Sequence, residues 1–599
     1  RYDRRVGSAR SVSPWRHTID SPPNDVKYRC HWTPPLAIDP FDTRTVYYGC
    51  QVILKTSDGG QKWQEISPDL STGDSSHIVF SGGINGDNLG QFYGDVVFAI
   101  APSKFRKGLI WAGTNDGKVW YTADGGQTWN DVTDNVGMPK LGIVRKIQPS
   151  RFDPATAYVA VDYHLTDDSR PYIYETTDMG KTWTKISGGL PSGGPLDYVM
   201  AVTENPNRKG MLFAGTGHGF FYTLDDGAHW QRLKGGLPAA PVTWIVVDAR
   251  YHDVVVSTYG RGLWVLRDIT RLEQSDRAPK PDSVTYLYRP HDGFRMQRSG
   301  TASFLFSVAP DETGPATLDI LDADSAVIRS DSLLTVSGLN TAAWDLRYKG
   351  PKQPKLRTVS DNPVIFYEPR MHGDSVRPVV HWGIQGPQHT GPIAAPGRYT
   401  VRLTVKGQRY EQSLVVIKDP KIPSSQADLE ASTKVQIRIR DDIDTTVVMI
   451  NHLEVLRKQI QDQVAAHEAA AHQAGANAAG ANQGNAGVRE ALEAFGKQAY
   501  DVEVQLLSKP AMQSDDKWYP DSFHVYLNLI WLSAEVGSGG GDVQGGAGYR
   551  PTDASMQVLA DIETKLAAAA ADYQELVSRQ LPAFNEKMKG KIEPLTVGK

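Results

Sequence analysis

No apolar run in this 599-residue chain approaches the roughly 18–20 residues that a membrane-spanning helix needs. The best candidate, "FHVYLNLIWL" (Phe523 to Leu532), is about half that length. Charge of one sign is also lacking. Lys and Arg number 64 against 68 Asp and Glu, and the net charge of −4 excludes a general binder of nucleic acid or anionic membrane, which needs a basic surface. Neither a P-loop nor a strand followed by G-x-G-x-x-G occurs, so a nucleotide site has no signature. H-E-x-x-H and G-x-S-x-G are missing too. Cysteine is nearly absent. Cys30 and Cys50 are too few to staple a fold of this size, and either one disulfide or two separate buried thiols fits them. Cys30 adjoins His31 but no second cluster stands at metal spacing, so we expect neither a metal nor a cofactor.

What is present is a repeat. "TSDGGQKW", "TADGGQTW", "TTDMGKTW" and "TLDDGAHW" share the template Thr-x-Asp-x-Gly-x-x-Trp and recur every 47 to 66 residues. Their fixed letters are Asp58, Gly60, Trp63; Asp124, Gly126, Trp129; Asp178, Gly180, Trp183; and Asp225, Gly227, Trp230. A period of this size announces a propeller or a solenoid. Before each box runs a strand, a Gly-containing turn and a strand, as in "GLIWAGTNDGKVWY" (Gly108 to Tyr121). A short run such as "WQEIS" follows, and one more apolar stretch lies upstream. That makes about four strands per unit, a propeller blade.

The box is read as scaffolding. Its Asp accepts from successive backbone N–H groups in a tight turn, Gly supplies a conformation other residues resist, and Trp buries a large face over the turn. A catalytic carboxylate would be needed once or twice, not once per blade. A fifth unit, Pro241 to Thr270, lacks the box, and nothing obvious closes the ring. The chain opens on Arg, so we expect further blades upstream in a longer parent chain.

These boxes resemble Asp-box (BNR) repeats, known from sialidases, xyloglucan-degrading hydrolases and sortilin-type receptors. "PYIYETTDMGKTWTKISGGLP", "KGMLFAGTGHGFFYTLDDGAHWQRLKGGLP" and "VVVSTYGRGLWVLRDITRL" together are similar to large exported bacterial proteins with a sortilin-like propeller, a group often labelled glycosyl hydrolase. The resemblance covers about Arg29 to Leu272. It implies an extracytoplasmic location, periplasmic, cell-surface or secreted, and protein or peptide binding within the tunnel. It also implies the layout that follows: an immunoglobulin-like module, then a helical tail.

The residues downstream fit that layout. Over 282–420 short strands alternate without boxes, as in "ATLDILDADSAVIRS", "GLNTAAWDLRY" and "PGRYTVRLTVKGQRYEQSLVVIKDP", which is the count of a β-sandwich. Its Pro-rich insert, Lys349 to Pro392, is expected as a surface loop. Over 425–599 helix takes over: Ile439, Ile443, Val447, Ile450, Leu453, Leu456, Ile460 and Val464 make one apolar stripe. Flexible linkers are expected near 470–487 and 537–549. Helices are expected near 488–507, 522–536 and 552–581. A bundle is the plain reading; an exposed stripe would dock a partner or a second copy of the chain.

The expected architecture is therefore mainly β: about five propeller blades over 1–272, an immunoglobulin-like sandwich, and an α-helical domain. The expected role is binding or assembly without catalysis, with a protein or peptide as partner, and Trp32, Arg145, His164 and Arg261 as ligand contacts. The alternative is a glycoside hydrolase acting on carbohydrate. That chemistry needs two carboxylates facing a cleft, and Asp95, Asp162 and Glu204 are the candidates. No arginine motif of the sialidase type precedes the boxes.

Overall fold

The computed structural model describes residues 1–15, 21–84, 86, 93–276, 283–359, 376–379, 389–474, 479–512, 524–540 and 543–598. It divides into two compact units, Arg1–Asp276 and Arg277–Lys599.

The first unit is mainly β. After a two-stranded ribbon, β1 (Tyr2–Asp3) and β2 (Ser8–Ala9), five small antiparallel sheets follow in chain order, the arrangement of a propeller. They are β3 to β6 (Leu36–Ile38, Val46–Gly49, Ile53–Thr56, Gln64–Glu65), β7 to β10 (Val97–Pro102, Ile110–Thr114, Val119–Thr122, Asn130–Asp131) and β11 to β14 (Ile143–Pro149, Ala157–Tyr163, Asp168–Thr176, Thr184–Lys185). Next come β15 to β18 (Val199–Glu204, Leu212–Thr216, Phe220–Thr223, Gln231–Arg232) and the three-stranded β19 to β21 (Val242–Asp248, Asp253–Thr258, Gly262–Leu266). Two single helical turns, α1 (Thr133–Val136) and α2 (Thr270–Glu273), interrupt the connections. The second strands β8, β12 and β16 are buried at every position, because each sheet is covered on both faces by its neighbours. This is why "IWAGT", "AYVAVDY" and "LFAGT" read as continuous apolar runs rather than alternating ones.

The repeated boxes join these sheets. In the second, the Thr122 hydroxyl donates to Asp124 at 2.7 Å, and the Gln127 and Thr128 amides donate to the same oxygen at 2.9 and 3.0 Å. The Gly126 amide donates to Thr122 Oγ1 at 2.9 Å. The bond from the Gly amide to the Thr hydroxyl recurs at Gly60, Gly180 and Gly227. Three of the four tryptophans then reach outward. Trp129 Nε1 donates to Ile66 O and Trp230 Nε1 to Ile186 O, each at 2.7 Å and each in the preceding sheet's outer segment. Trp63 reaches Val12 O in the same way at 2.9 Å, whereas Trp183 bonds back to Gly180 O within its own turn at 3.2 Å. The boxes of Trp129 and Trp230 are turns that staple one sheet to the one before it. Cys30 and Cys50 are joined as a disulfide, tying the loop before β3 to the end of β4.

Apolar side chains stand exposed at both ends of the row. Leu36 and Ile38 on β3 are 63% and 56% exposed, and Leu263 and Val265 on β21 are 75% and 53% exposed. Such edges recruit further strands. The purified chain is expected to elute as a dimer or larger at micromolar concentration, and Leu263→Glu with Val265→Glu to shift it toward monomer. Light scattering that gives a monomer for the unmodified chain would show these faces stable in water.

In the second unit, β22 to β29 (Tyr286–Leu287, Gly293–Arg295, Gly300–Val308, Gly314–Leu321, Val327–Thr335, Gly338–Trp344, Gly397–Val405, Gln408–Lys418) form one hydrogen-bonded network in the order β22-β24-β23-β29-β28-β25-β26, with β27 on β24. Every pair is antiparallel except β23 with β29. The Lys406-Gly407 turn has φ of 48° and 82°, the two left-handed positions a tight hairpin requires. Trp344, Phe304 and Phe306 centre the core between the strands.

Helices follow: α3 (Gln426–Ala474), α4 (Ala479–Leu506), α5 (Lys509–Met512), α6 (Val525–Val536), α7 (Asp553–Glu575) and, after a π turn at Leu576–Gln580, α8 (Leu581–Lys587). The stripe from Ile439 to Ile460 is buried as its spacing implies, with Val464 half-buried at its end. Three expectations need correction. The stretch 470–487 was expected as a flexible linker, but α3 runs to Ala474 and α4 starts at Ala479, since its alanines favour helix more than its glycines oppose it; residues 475–478 lie outside the described ones. The 537–549 segment is no free linker either: Ala547 O accepts from Arg295 Nη2 at 2.7 Å and Ser432 Oγ at 3.2 Å. The Pro-rich insert is in part buried, with Leu356 and Val379 packed in the helical core, while 360–375 and 380–388 lie outside the described residues. Among the described residues no helix is long and apolar enough to cross a membrane.

Candidate functional site

The innermost strands of the first unit, β3, β7, β11, β15 and β19, line a cavity of about 1220 Å³. Four of them carry the same irregularity. Their pairing slips by one residue between Val97 and Ala99, Val144 and Lys146, Val199 and Ala201, and Val242 and Trp244. A β-bulge re-aims the extra side chain and bends the strand. The bulged residues Phe98, Arg145, Met200 and Thr243 all line the cavity, and on β11 the bulge lets Arg145 and Lys146 line it together.

At the end where these strands begin, side chains from neighbouring sheets meet. The Arg145 guanidinium lies 5.4 Å from the Phe98 ring, and His164 stacks on Tyr198 with centroids 4.2 Å apart. Arg145 and His164 share one partner: Asp162 accepts from Arg145 Nε at 2.9 Å and lies 2.7 Å from His164 Nδ1. Its carboxylate also accepts the His164 amide at 3.0 Å and is wholly shielded. Three expected site residues thus come together, with Asp162 paired to Arg145 and hydrogen-bonded to His164. That suits it to hold Arg145 and His164 at the cavity wall rather than to exchange protons with a substrate.

Glu204 lies elsewhere. It accepts from Ser150 Oγ at 3.1 Å and the Arg151 amide at 2.8 Å, just past the last residue of β11, whereas Asp162 pairs with the first. The length of β11 therefore separates them by roughly 20 Å, beyond any glycosidase pair. Burial also pushes the Glu204 carboxyl up. Trp32, 60% exposed, and Arg261, in the exposed β20–β21 turn where its carbonyl accepts the Trp264 indole at 2.9 Å, are not among the residues lining the cavity.

Asp95 has the most unusual setting of the candidates. It precedes β7 at φ 51° and is 4% exposed. Burial, and then the nearby Asp116 carboxylate, push its carboxyl up to about 6. Asp116 sits in the β8–β9 turn, is 8% exposed, and accepts the Thr72 amide at 2.6 Å. One oxygen of each, Asp95 Oδ2 and Asp116 Oδ1, is buried without a hydrogen-bond partner among the described residues. His77 Nδ1 lies 3.8 Å from Asp95, and Arg29 Nη2 donates to the Asp95 carbonyl at 3.4 Å. Two buried carboxyls thus act on each other, and Asp95 is the one whose ionisation burial and the neighbouring charge oppose.

Reading the sequence missed Asp116, which looks like an ordinary turn residue in "TNDGK". It also missed Lys104, Lys146 and Trp244. Lys146 Nζ lies 3.3 Å from the Trp244 ring centroid, a contact between two sheets that no local pattern announces.

No family model matches the chain. Over 143 residues it is 29% identical to a xyloglucanase of Paenibacillus sp.. The match takes in 22% of this chain but spans only 14% of that protein's length. Solved structures that resemble it include the GH74 xyloglucanase from Xanthomonas campestris, 14% identical, with 63% of each chain covered and a TM-score of 0.31. YCF48 from Cyanidioschyzon merolae is 13% identical, with 45% of this chain and 80% of that one covered and a TM-score of 0.24.

Proposed function

We propose that the first unit is a polysaccharide-handling propeller of glycoside-hydrolase type, in an extracytoplasmic protein, with Asp95 and Asp116 as its carboxylate pair. The observation that carries the reading is the 143-residue likeness to the Paenibacillus xyloglucanase. The carboxylates add chemical support. Asp95, with its carboxyl at about 6, is the general acid that protonates a leaving glycosidic oxygen, and Asp116 is the partner that stabilises or attacks the sugar. The Asp-box turns hold the blades in place. The strands of 283–420 serve as an immunoglobulin-like module and the helices as a docking tail.

The test is sugar release from xyloglucan and a wider polysaccharide panel, followed by reducing ends. Asp95→Asn and Asp116→Asn should each lower kcat by about 10²-fold or more with Tm kept. Asp162→Asn should act mainly on KM, since that side chain orients Arg145 and His164.

A second reading keeps the protein a non-catalytic binding or assembly module for a protein or peptide, of sortilin-like kind. What favours it is that no Asp or Glu stands among the described residues lining the cavity. Absence of turnover across the panel, with retention of an envelope peptide that Arg145→Ala weakens, would replace the first reading with this one.

A further inference from the structure

The cavity carries more positive charge than its walls neutralise. Lys104, just past the end of β7, Lys146 on β11 and Arg151, just past the end of β11, all line it. Each is disfavoured in its charged form. Burial, and then Lys104, push the Lys146 amine down to about 7; burial, and then Arg151, lower Lys104; burial lowers Arg151 against the pull of Glu204. Arg151 Nε is buried without a partner among the described residues. Glu204 takes the Arg151 amide rather than its guanidinium, and Asp162 is already engaged by Arg145 and His164. Three basic groups crowded together, with no carboxylate among the described residues lining their cavity, are disfavoured in their charged forms until something anionic arrives. Lys146 lies on the face of Trp244, which is 49% exposed, and toward the end where the inner strands begin the cavity is also lined by Tyr259, Tyr198 and Phe98. Aromatic faces flanked by ammonium and guanidinium groups match a chain whose rings stack and whose substituents are anionic.

We infer that this cavity binds an acidic polysaccharide, its carboxylate or sulfate groups held by Lys104, Lys146 and Arg151 and its sugar rings laid on Trp244 and Tyr259. The inference rests on the polysaccharide reading above and narrows its substrate to an anionic class, which a neutral xyloglucan would not satisfy. Lys146 is the central contact, because it already sits on the Trp244 face and can pass from the ring to an incoming anion.

The experiment is calorimetric titration of the full chain with a polygalacturonate oligomer, a sulfated galactosaminoglycan, a xyloglucan oligosaccharide and poly-glutamate. The expected result is binding of the polygalacturonate that weakens with salt and falls about tenfold or more in the Lys104→Gln, Lys146→Gln variant, with melting unchanged. Binding of the sulfated chain in place of the uronate, with the same dependence on the two lysines, would keep the acidic class and assign sulfate as the anion. Binding of xyloglucan alone would overturn the acidic class and leave the polysaccharide reading standing. Binding of poly-glutamate alone would overturn both. Acidic-glycan binding untouched by the double substitution would overturn the assignment to this cavity. Should the variant not fold, amine acylation of the unmodified protein decides by mass spectrometry: Lys146 is protected by the saturating acidic glycan if the inference holds, and labelled at its free rate if it fails.

Discussion

Gly126→Ala lowers the stability of the first unit by on the order of 3 kcal/mol, the larger part from overpacking and the rest from backbone strain. Gly126 has φ 102°, outside the range that L-residues populate. A Cβ built there would lie 2.5 Å from Ile66 O and 2.9 Å from Ile66 Cβ in the preceding sheet. Ile66 O is also the acceptor of the Trp129 indole, so relief by moving that carbonyl breaks the staple between two sheets. Gly125 is the control. It shares a positive φ, 78°, but a Cβ there meets nothing within 4 Å. Gly125→Ala should therefore cost only the conformational part, about 1–2 kcal/mol. Urea unfolding of both variants separates the two terms; equal losses would mean that the contact between sheets contributes nothing.

The same turns set the acid response. The Thr128 hydroxyl and amide hold the Asp124 carboxyl well below the usual carboxylate range, the Thr182 hydroxyl and amide bring Asp178 down to about 2, and the Thr223 hydroxyl and then the His229 side chain bring Asp225 down to about 2. A carboxylate whose folded pKa is depressed gives stability that is present above its unfolded value near 4 and lost as pH falls toward the folded one. These turns should therefore loosen between about pH 4 and pH 2.

The staples were legible because they are local. A Thr, an Asp and a Gly within five residues bond to each other and to the backbone between them, so the pattern of letters is the pattern of hydrogen bonds. The helical stripe was legible for the same reason, as Ile439 to Ile460 repeat at the period of their own helix. What could not be read joins distant segments. Alternation along "IVRKIQP" puts Arg145 and Lys146 on opposite faces; the bulge that sends both to the cavity appears only against β12. Asp116 becomes chemically notable only because a loop twenty residues upstream places Asp95 beside it. The alanine-rich tract misled in the other direction. Its glycines and asparagines suggest a linker, while α3 runs to Ala474 and α4 begins at Ala479.

Removing the cation from the buried cluster between α3 and α4 should have an effect as large as the glycine change, and one that depends on pH. Arg457 Nη1 lies 2.6 Å from Glu503 Oε2 and 3.4 Å from Glu454 Oε1, and both carboxyl groups are fully shielded. Glu454 is committed further, accepting the Thr358 amide at 2.7 Å and the Thr358 hydroxyl at 2.8 Å, and so pins the Pro-rich insert to α3. One arginine cannot offset two buried carboxylates. Burial, and then Glu454 against the pull of Arg457, push the Glu503 carboxyl up to about 8. With the folded pKa above the unfolded one, the stability this group gives is complete below about pH 4.5 and is lost as pH rises through 8. Arg457→Met leaves both carboxyls without a cation and should cost about 3–5 kcal/mol at pH 8, but less at pH 5, where protonation relieves Glu503. Glu503→Gln should flatten the decline between those pH values. Combined with Arg457→Met it should recover part of the loss at pH 8, because one buried carboxyl rather than two is then left without its arginine. Helical circular dichroism during urea unfolding at both pH values reads all three outcomes. An Arg457→Met loss that is the same at pH 5 and pH 8, with no recovery in the double variant, would mean the arginine acts through its packing and not its charge.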